Sequence, residues 1–430
     1  MSAKKYMNLD IKKTVFKSTL DFRLASTAVA CLAFSINFGV ALVSLSCLLI
    51  LLASIFIWVG EKFSIHKIEP RKIKLTSWAI FISLAWIYLS VSWAISNWDQ
   101  VGLGLMRYSR LLVIPFLYYL LRTPEQGLRV MTIWVYGQVF VLLSSYMLWL
   151  GIPAPWALEP SATTFYVPYS SSLETPIMSS LMFTVLWFYK DHFKNKWGSW
   201  VLYLIMGLTV FNVFFIMIGR SGFISMILVL TFIIWWLISK KYRGFVLLLP
   251  FVLGFSLFLM SPKFHDRVLS INSDVSDFQR GKLESSQATR LEFWKRSAQA
   301  IVEKPIIGYG VGSWPLAYQL ALKGEVGLKA DSPHQQYFLW WVEGGTIALF
   351  CLIGIFAAIY RDALTLEEPA GRALITVLAV LCVVSLMNCP LEGAGMSEYF
   401  CFVIAILLCV GDKPLQPHSA QQKLTPVQGQ

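Results

Sequence analysis

Three residues stand where polar chemistry is costly to keep. Arg220 lies in Ile218-Gly219-Arg220-Ser221-Gly222, a glycine-flanked turn between two apolar runs. A guanidinium beside the free N–H groups of a helix start can converge with them on phosphate oxygens, or it can anchor a span at an interface. Arg290 belongs to the segment from Thr289 to Lys304, which divides into two arcs at about 100° per residue. Trp294, Ala298, Ile301, Pro305, Leu291 and Val302 form an apolar arc, and Glu292, Lys295, Arg296, Gln299 and Glu303 form a polar one. Arg290 borders the apolar arc beside Trp294, where an unpaired cation is costly, so it binds an anion, snorkels or meets a carboxylate. Lys295 and Arg296 are expected on a solvated face. His334, in Pro333-His334-Gln335, opens an apolar run with Tyr337 one turn on and Glu343 deeper. Histidine is suited to take a hydroxyl proton near neutral pH, although a lone histidine also serves as a hydrogen-bonded structural residue.

Arg107 and Arg110 are three residues apart and share a helical face, about two turns below the end of their run. Cations at that depth face an interior where they could hold a second phosphate, or they snorkel. The glycines of Gly308-Tyr309-Gly310-Val311-Gly312 come without the lysine and the strand-to-helix setting of a nucleotide loop. They predict a tight turn after Pro305, with Trp314 beside it.

The elements that must position these residues are membrane helices. The 430-residue chain is 57% apolar and 14% charged, with a mean hydropathy of +0.62. Soluble domains average about 25% charged residues. Continuous apolar runs without strand alternation predict an all-α integral membrane protein. Twelve spans are expected, at 24–37, 41–60, 75–95, 102–121, 129–150, 175–190, 199–217, 221–239, 243–260, 336–359, 372–389 and 396–411. The chain then divides into nine spans over 1–260, a long loop with an amphipathic helix over 261–335, three spans over 336–411, and a polar tail over 412–430. The short first and sixth spans are candidates for tilted, broken or re-entrant helices.

The net charge of +12 follows from topology and does not call for nucleic acid. With alternating sides, one side collects 23 Lys and Arg in its termini and short loops, while the opposite loops around 38–40, 96–101, 151–174 and 390–395 contain none. The positive-inside rule then predicts both termini in the cytoplasm and the 261–335 loop outside. The first span is expected to stay uncleaved. The outer loop Gly151–Thr175 holds Trp156, Phe165, Tyr166 and Tyr169, which anchor it at an interface, stack on a sugar or form a lid. The seven cysteines have no disulfide or zinc spacing.

In this order, the motifs resemble the lipopolysaccharide O-antigen ligase family, whose superfamily includes O-antigen polymerases and protein O-oligosaccharyltransferases. The resemblance rests on Gly219-Arg220-Ser221-Gly222; on Ala288-Thr289-Arg290-Leu291-Glu292-Phe293-Trp294 followed by Glu303-Lys304-Pro305-Ile306-Ile307-Gly308-Tyr309-Gly310; and on Ser332-Pro333-His334-Gln335-Gln336-Tyr337-Phe338 leading to Glu343-Gly344-Gly345. It covers most of the chain. It implies a GT-C-like, inverting, metal-independent glycosyltransferase in the bacterial inner membrane. Such an enzyme moves a glycan from undecaprenyl pyrophosphate to a lipid A-core sugar at the periplasmic face. The family's functional arginines and histidine carry over to Arg220, Arg290 and His334. Arg107, Arg110, Trp294 and Tyr337 are the accompanying candidates for substrate contact. The family commonly has Asn or Ser where this chain has Gln335, a change that leaves the expected base intact.

No cofactor is expected. Asp274 and Asp277 form no compact acidic motif, so no metal is expected either. The partners implied are the lipid-linked glycan, the lipid A-core acceptor and membrane lipids, with the oligomeric state open. A protein oligosaccharyltransferase is disfavoured by the short segment after the last span, and a polymerase by the absence of basic residues from 151–174. A transporter or flippase of a lipid-linked glycan would call for internal repeats and midplane charges.

Overall fold

The computed structural model describes residues 73–412 apart from 122, 158–165, 170–173, 218, 281–284, 326 and 329, together with 29–30, 32–34 and 52. Regular structure among the described residues is helical throughout. The chain runs through α1 (Leu75–Leu89), α2 (Trp98–Leu120, with a 3-10 step at Arg110–Leu112), α3 (Pro124–Trp149), α4 (Thr175–Phe188), α5 (Lys190–Trp197) and α6 (Ser199–Phe211, prolonged by a π-turn at Asn212–Ile216). It continues as α7 (Arg220–Leu237), α8 (Leu249–Met260), α9 (Pro262–Gln279), α10 (Ser286–Glu303), α11 (Trp314–Ala321), α12 (Gln336–Ala363), α13 (Glu368–Val384) and α14 (Met396–Val410).

Among the described residues six helices are long and apolar enough to cross a membrane: α1, α2, α3, α6, α7 and α12 with their extensions. A seventh span forms if Lys240–Val246 and α8, bent 40° to one another, cross together. The expected spans 24–37 and 41–60 lie almost wholly outside the described residues, as do the basic N-terminus and the tail beyond Asp412. Two apolar helices are shorter, α4 and α14. Every residue of α14 is buried, and so is every residue of α4 from Thr175 to Leu186. A helix that is apolar all round belongs inside a bundle, and these two form its centre. Around them α7 packs on α4 and α13, α14 on α2 and α3, and α12 on α1 and α13. The outward side chains include Trp200, Phe245 and Phe251, all at least 70% exposed, as a lipid-facing surface requires.

Local chemistry fixes the helix starts. Asn97 Oδ1 accepts from Gln100 N at 3.0 Å, and Thr123 with Gln126 closes a capping box ahead of Pro124. On the face away from the long loop, the Asp362 carboxylate caps α1 through Thr76 N at 2.8 Å. Asp412 there accepts from Lys74 at 2.9 Å and from Tyr118 at 2.7 Å. Trp156 folds back onto α3, donating to Ser144 Oγ at 3.0 Å with its ring 5.4 Å from Phe140; its polar edge is taken up by the protein.

The long loop is built into the bundle. Helix α12 breaks at Gly345, where φ is +71°, and a side chain there would meet Ile306 O at 2.0 Å. The loop fills the gap: Thr346 N donates to Pro305 O at 2.8 Å, Tyr309 N to Val342 O at 2.9 Å and Gly310 N to Glu343 O at 2.7 Å. Gly310, with φ +90°, lies against the Ala94 backbone so closely that only glycine fits. The expected tight turn after Pro305 is present, and it fastens the loop to both α1 and α12. Trp314 beside it is buried and stacks on Tyr318 at 5.3 Å.

Candidate active site

The loop places α9 and α10 over the start of α7. Arg220 is the first residue of α7, with Gly219 at its N-cap. Gly222 brings this turn against Pro176 at the start of α4, where a methyl group would lie 2.3 Å from the Pro176 Cβ. The Arg220 guanidinium reaches up to α9, donating to Ser270 Oγ at 2.9 Å and approaching Asp274 Oδ2 at 3.5 Å.

Ser285 caps α10 by accepting from Ala288 N at 3.1 Å. The buried residues of α10 are Ala288, Glu292, Phe293, Arg296, Ser297, Ala300 and Ile301. This corrects the angular reading. The inward face is turned toward Phe293 and Ala300, whereas Ala298 and Val302 of the expected apolar arc are exposed. Arg296 is 6% exposed and not solvated. It pairs with Glu292 at 2.6 Å and with Glu325, and it donates to Ala321 O at 3.1 Å, so its charge is matched without water. Lys295 is exposed as expected. Arg290 still borders the inward face, from the opposite edge.

Arg290 is half-buried, and its partner is an amide: Nη2 donates to Asn388 Oδ1 at 3.4 Å. Among the described residues no carboxylate lies within ion-pair distance of it. Burial, and after it the neighbouring Arg220 charge, push the Arg290 guanidinium below its ordinary value. Two like charges are therefore held within electrostatic reach of each other, an arrangement that favours an anion between them.

His334 sits in the turn before α12 with φ +50°, a left-handed conformation uncommon for a side-chain-bearing residue. Trp294 holds that turn by donating from Nε1 to Pro333 O at 3.1 Å, and the imidazole lies 6.3 Å from the Phe293 ring. Gln335 caps α12, accepting from Phe338 N at 2.5 Å. Partial desolvation, then the nearby Arg290 charge, lower the His334 pKa from its ordinary value. The ring is thus neutral near pH 7 and able to accept a proton.

The other candidates have partners within the protein. Arg107 pairs with Glu392 at 2.7 Å and Arg110 with Glu398 at 2.9 Å, and Arg110 also donates to the Glu392 carbonyl. Both guanidiniums are ion-paired where the chain passes from α13 into α14. Tyr337 donates to Cys382 O of α13 at 3.0 Å, and its ring packs on Phe356; its hydroxyl ties two helices together. Trp294 acts on the His334 turn through Pro333.

Asn388 is the residue that inspection of the sequence passes over. It is buried, and besides accepting from Arg290 it donates from Nδ2 to Ser221 Oγ at 2.7 Å. It follows the apolar α13 and precedes Cys389-Pro390, which reads as an ordinary turn; the one signal was a buried-type amide between two apolar runs. Beside this turn, Tyr108 donates to the buried Glu343 at 2.8 Å, and Leu391 N donates to Gln336 Oε1 at 3.0 Å. Helices α2 and α12 thereby brace the segment that carries Asn388.

No curated protein matches the chain. The family model described as O-antigen ligase matches residues 205–353, the stretch that holds Arg220, Arg290 and His334.

Proposed function

We propose that this chain is an O-antigen ligase that transfers a glycan from undecaprenyl pyrophosphate to a sugar hydroxyl of the lipid A-core. In this reading it is a twelve-span, GT-C-like protein of the inner membrane with both termini in the cytoplasm. The long loop and its site then face the periplasm, where the finished glycan is presented. The observation that carries the reading is the half-buried Arg290 guanidinium, held beside Arg220 with only a neutral amide for a partner among the described residues.

The chemistry follows from the charges. The acceptor hydroxyl gives its proton to the neutral His334 imidazole as its oxygen attacks the anomeric carbon. The bond from that carbon to the pyrophosphate oxygen breaks, and undecaprenyl pyrophosphate departs with the electron pair. A single in-line displacement inverts the anomeric centre. Negative charge grows on the bridging oxygen, and preplaced cations stabilise it where water is scarce. Arg290 and Arg220 supply that charge. Bound pyrophosphate also offsets the Arg290 charge that disfavours imidazolium, so donor binding strengthens His334 as a base. Trp294 holds His334 in place, while Arg107 and Arg110 hold the Asn388 segment.

Purified chain in vesicles, given lipid-linked glycan and rough lipopolysaccharide, should form a new glycosidic bond, and the reaction should survive EDTA. Movement of the donor across the bilayer without a new bond would reject an enzyme in favour of a transporter. Loss of transfer in EDTA that a divalent ion restores would reject the metal-independent mechanism.

A further inference from the structure

At the end of α7 remote from the site, a second set of cations gathers around aromatic rings. Helix α7 has 18 residues, so its far end lies about 27 Å from Arg220. There the Arg243 guanidinium carbon stands 5.6 Å from the Trp235 ring and 5.8 Å from the Trp236 ring. From α13, Arg372 approaches the same Trp236 ring at 5.2 Å. Lys240 and Lys241 lie on the connecting turn and are exposed.

Among the described residues, two donors in this cluster have no acceptor. Arg243 Nε and Trp236 Nε1 are both covered by protein and lack a hydrogen-bond partner. The carboxylate that the cluster engages is Glu368, which pairs with Arg372 one helical turn away and is itself largely exposed. Two guanidiniums and an indole N–H therefore gather here with one paired carboxylate among the described residues. Covered donors left unpaired are costly, and two guanidiniums sharing one ring repel unless an anion stands with them.

The surroundings identify the anion. Leu237, Phe245 and Leu247 next to the cluster are each at least 63% exposed, and Tyr242 between them is half-exposed. Such side chains meet acyl chains, with the tyrosine at headgroup level. We infer that the Trp235, Trp236, Arg243 and Arg372 cluster is a binding site for the headgroup phosphate of an anionic phospholipid, on the membrane face opposite the candidate active site. The planar guanidiniums suit a phosphodiester, and the flanking apolar residues seat its acyl chains. A zwitterionic lipid would bring its own cation toward Arg243 and Arg372 and bind less well.

The test is native mass spectrometry of the purified full-length chain exposed to equimolar phosphatidylglycerol and phosphatidylcholine. The wild-type protein should retain phosphatidylglycerol preferentially, by roughly fivefold for each arginine that contributes. Arg243→Gln with Arg372→Gln should bring retention of the two lipids to parity. Trp236→Phe, which keeps the ring and removes the N–H, should lower the preference without unfolding the bundle, so the test stands even if the double variant fails to fold. Equal retention by the wild type, an unchanged preference in Trp236→Phe, or displacement of the lipid by millimolar inorganic phosphate would each overturn the proposal.

Discussion

Arg290 rests on Asn388 at 3.4 Å, a charged group of the loop meeting a neutral amide of the bundle. Because Asn388 also donates to Ser221 at 2.7 Å, one residue beyond Arg220, a single side chain sets the relation between the two arginine-bearing elements. It does so without neutralising Arg290. A carboxylate in the same place would hold the guanidinium more tightly and cancel the charge that makes it useful.

The identity of residue 388 should therefore matter in a particular order. Asn388→Ala removes two hydrogen bonds, one of them to a charged group, and should lower kcat/KM for the lipid-linked donor roughly 10- to 100-fold. Asn388→Asp keeps the shape and supplies a carboxylate to Arg290, so donor KM should rise further than in the alanine variant. Steady-state transfer assays in vesicles measure both; an aspartate variant equal to wild type would show that the Arg290 charge is not what binds donor.

His334 gives a signature in pH. Desolvation and Arg290 hold its pKa below the ordinary 6.5, and the base form is the one present above the pKa. The acid limb of kcat/KM, which reports the free enzyme, should fall below pH 6.5, and that of kcat should lie higher because bound pyrophosphate offsets Arg290. His334→Ala should retain donor binding and lose roughly 10²- to 10⁴-fold in transfer. Coincident acid limbs, or a rapid alanine variant, would remove the base assignment.

Arg220, Arg290 and His334 were legible in the sequence because each is a costly residue in an unusual setting. A glycine-flanked arginine between apolar runs, an arginine at the edge of an amphipathic helix and a histidine at the mouth of a span all stand out against membrane composition. Periodicity supplies an angle around α10 but not the direction of the protein. Arg296 was misread for that reason: its partners are Glu292 on its own helix and Glu325, 29 residues further on in the chain. The partners of Arg107 and Arg110 lie nearly 300 residues away, at Glu392 and Glu398, a separation that no local pattern reveals. Asn388 looks like turn composition until the fold brings α10 and α7 to it. The helical character of the chain, by contrast, follows from length and hydropathy alone.

The break in α12 makes the loop's attachment testable. At Gly345 an alanine would need φ +71° and would meet the Ile306 carbonyl. Gly345→Ala should force out the Pro305–Gly310 segment or straighten α12, at a cost of about 1–3 kcal/mol for the backbone conformation alone. Thermal unfolding should begin earlier, and limited proteolysis should cut the loop faster than in the wild type. A variant with unchanged melting and unchanged proteolysis would show that the loop does not depend on this joint.

Glu392 offers a second pH effect, in stability and not in rate. Burial lifts its carboxyl from the ordinary 4.5 to about 7; Arg107 and Arg110 pull it down, Glu343 pushes it up, and burial prevails. In the unfolded chain the same group ionises near 4.5, so between that value and about 7 the folded protein keeps a proton that the unfolded chain has released. The resulting stability is complete below the unfolded pKa and is lost as pH rises through the folded one, a change of about 3 kcal/mol. Melting temperature should therefore fall between about pH 4.5 and about pH 7. Glu392→Gln keeps a neutral acceptor for Arg107 and cannot ionise, so it should flatten that fall and melt higher than the wild type at the alkaline end. Arg107→Ala should extend the fall to higher pH, because removing the arginine leaves the buried carboxylate uncompensated, a loss of about 3–5 kcal/mol where the group is ionised. Parallel melting curves for wild type and Glu392→Gln across this range would show that Glu392 is ionised throughout, with Arg107 and Arg110 outweighing its burial.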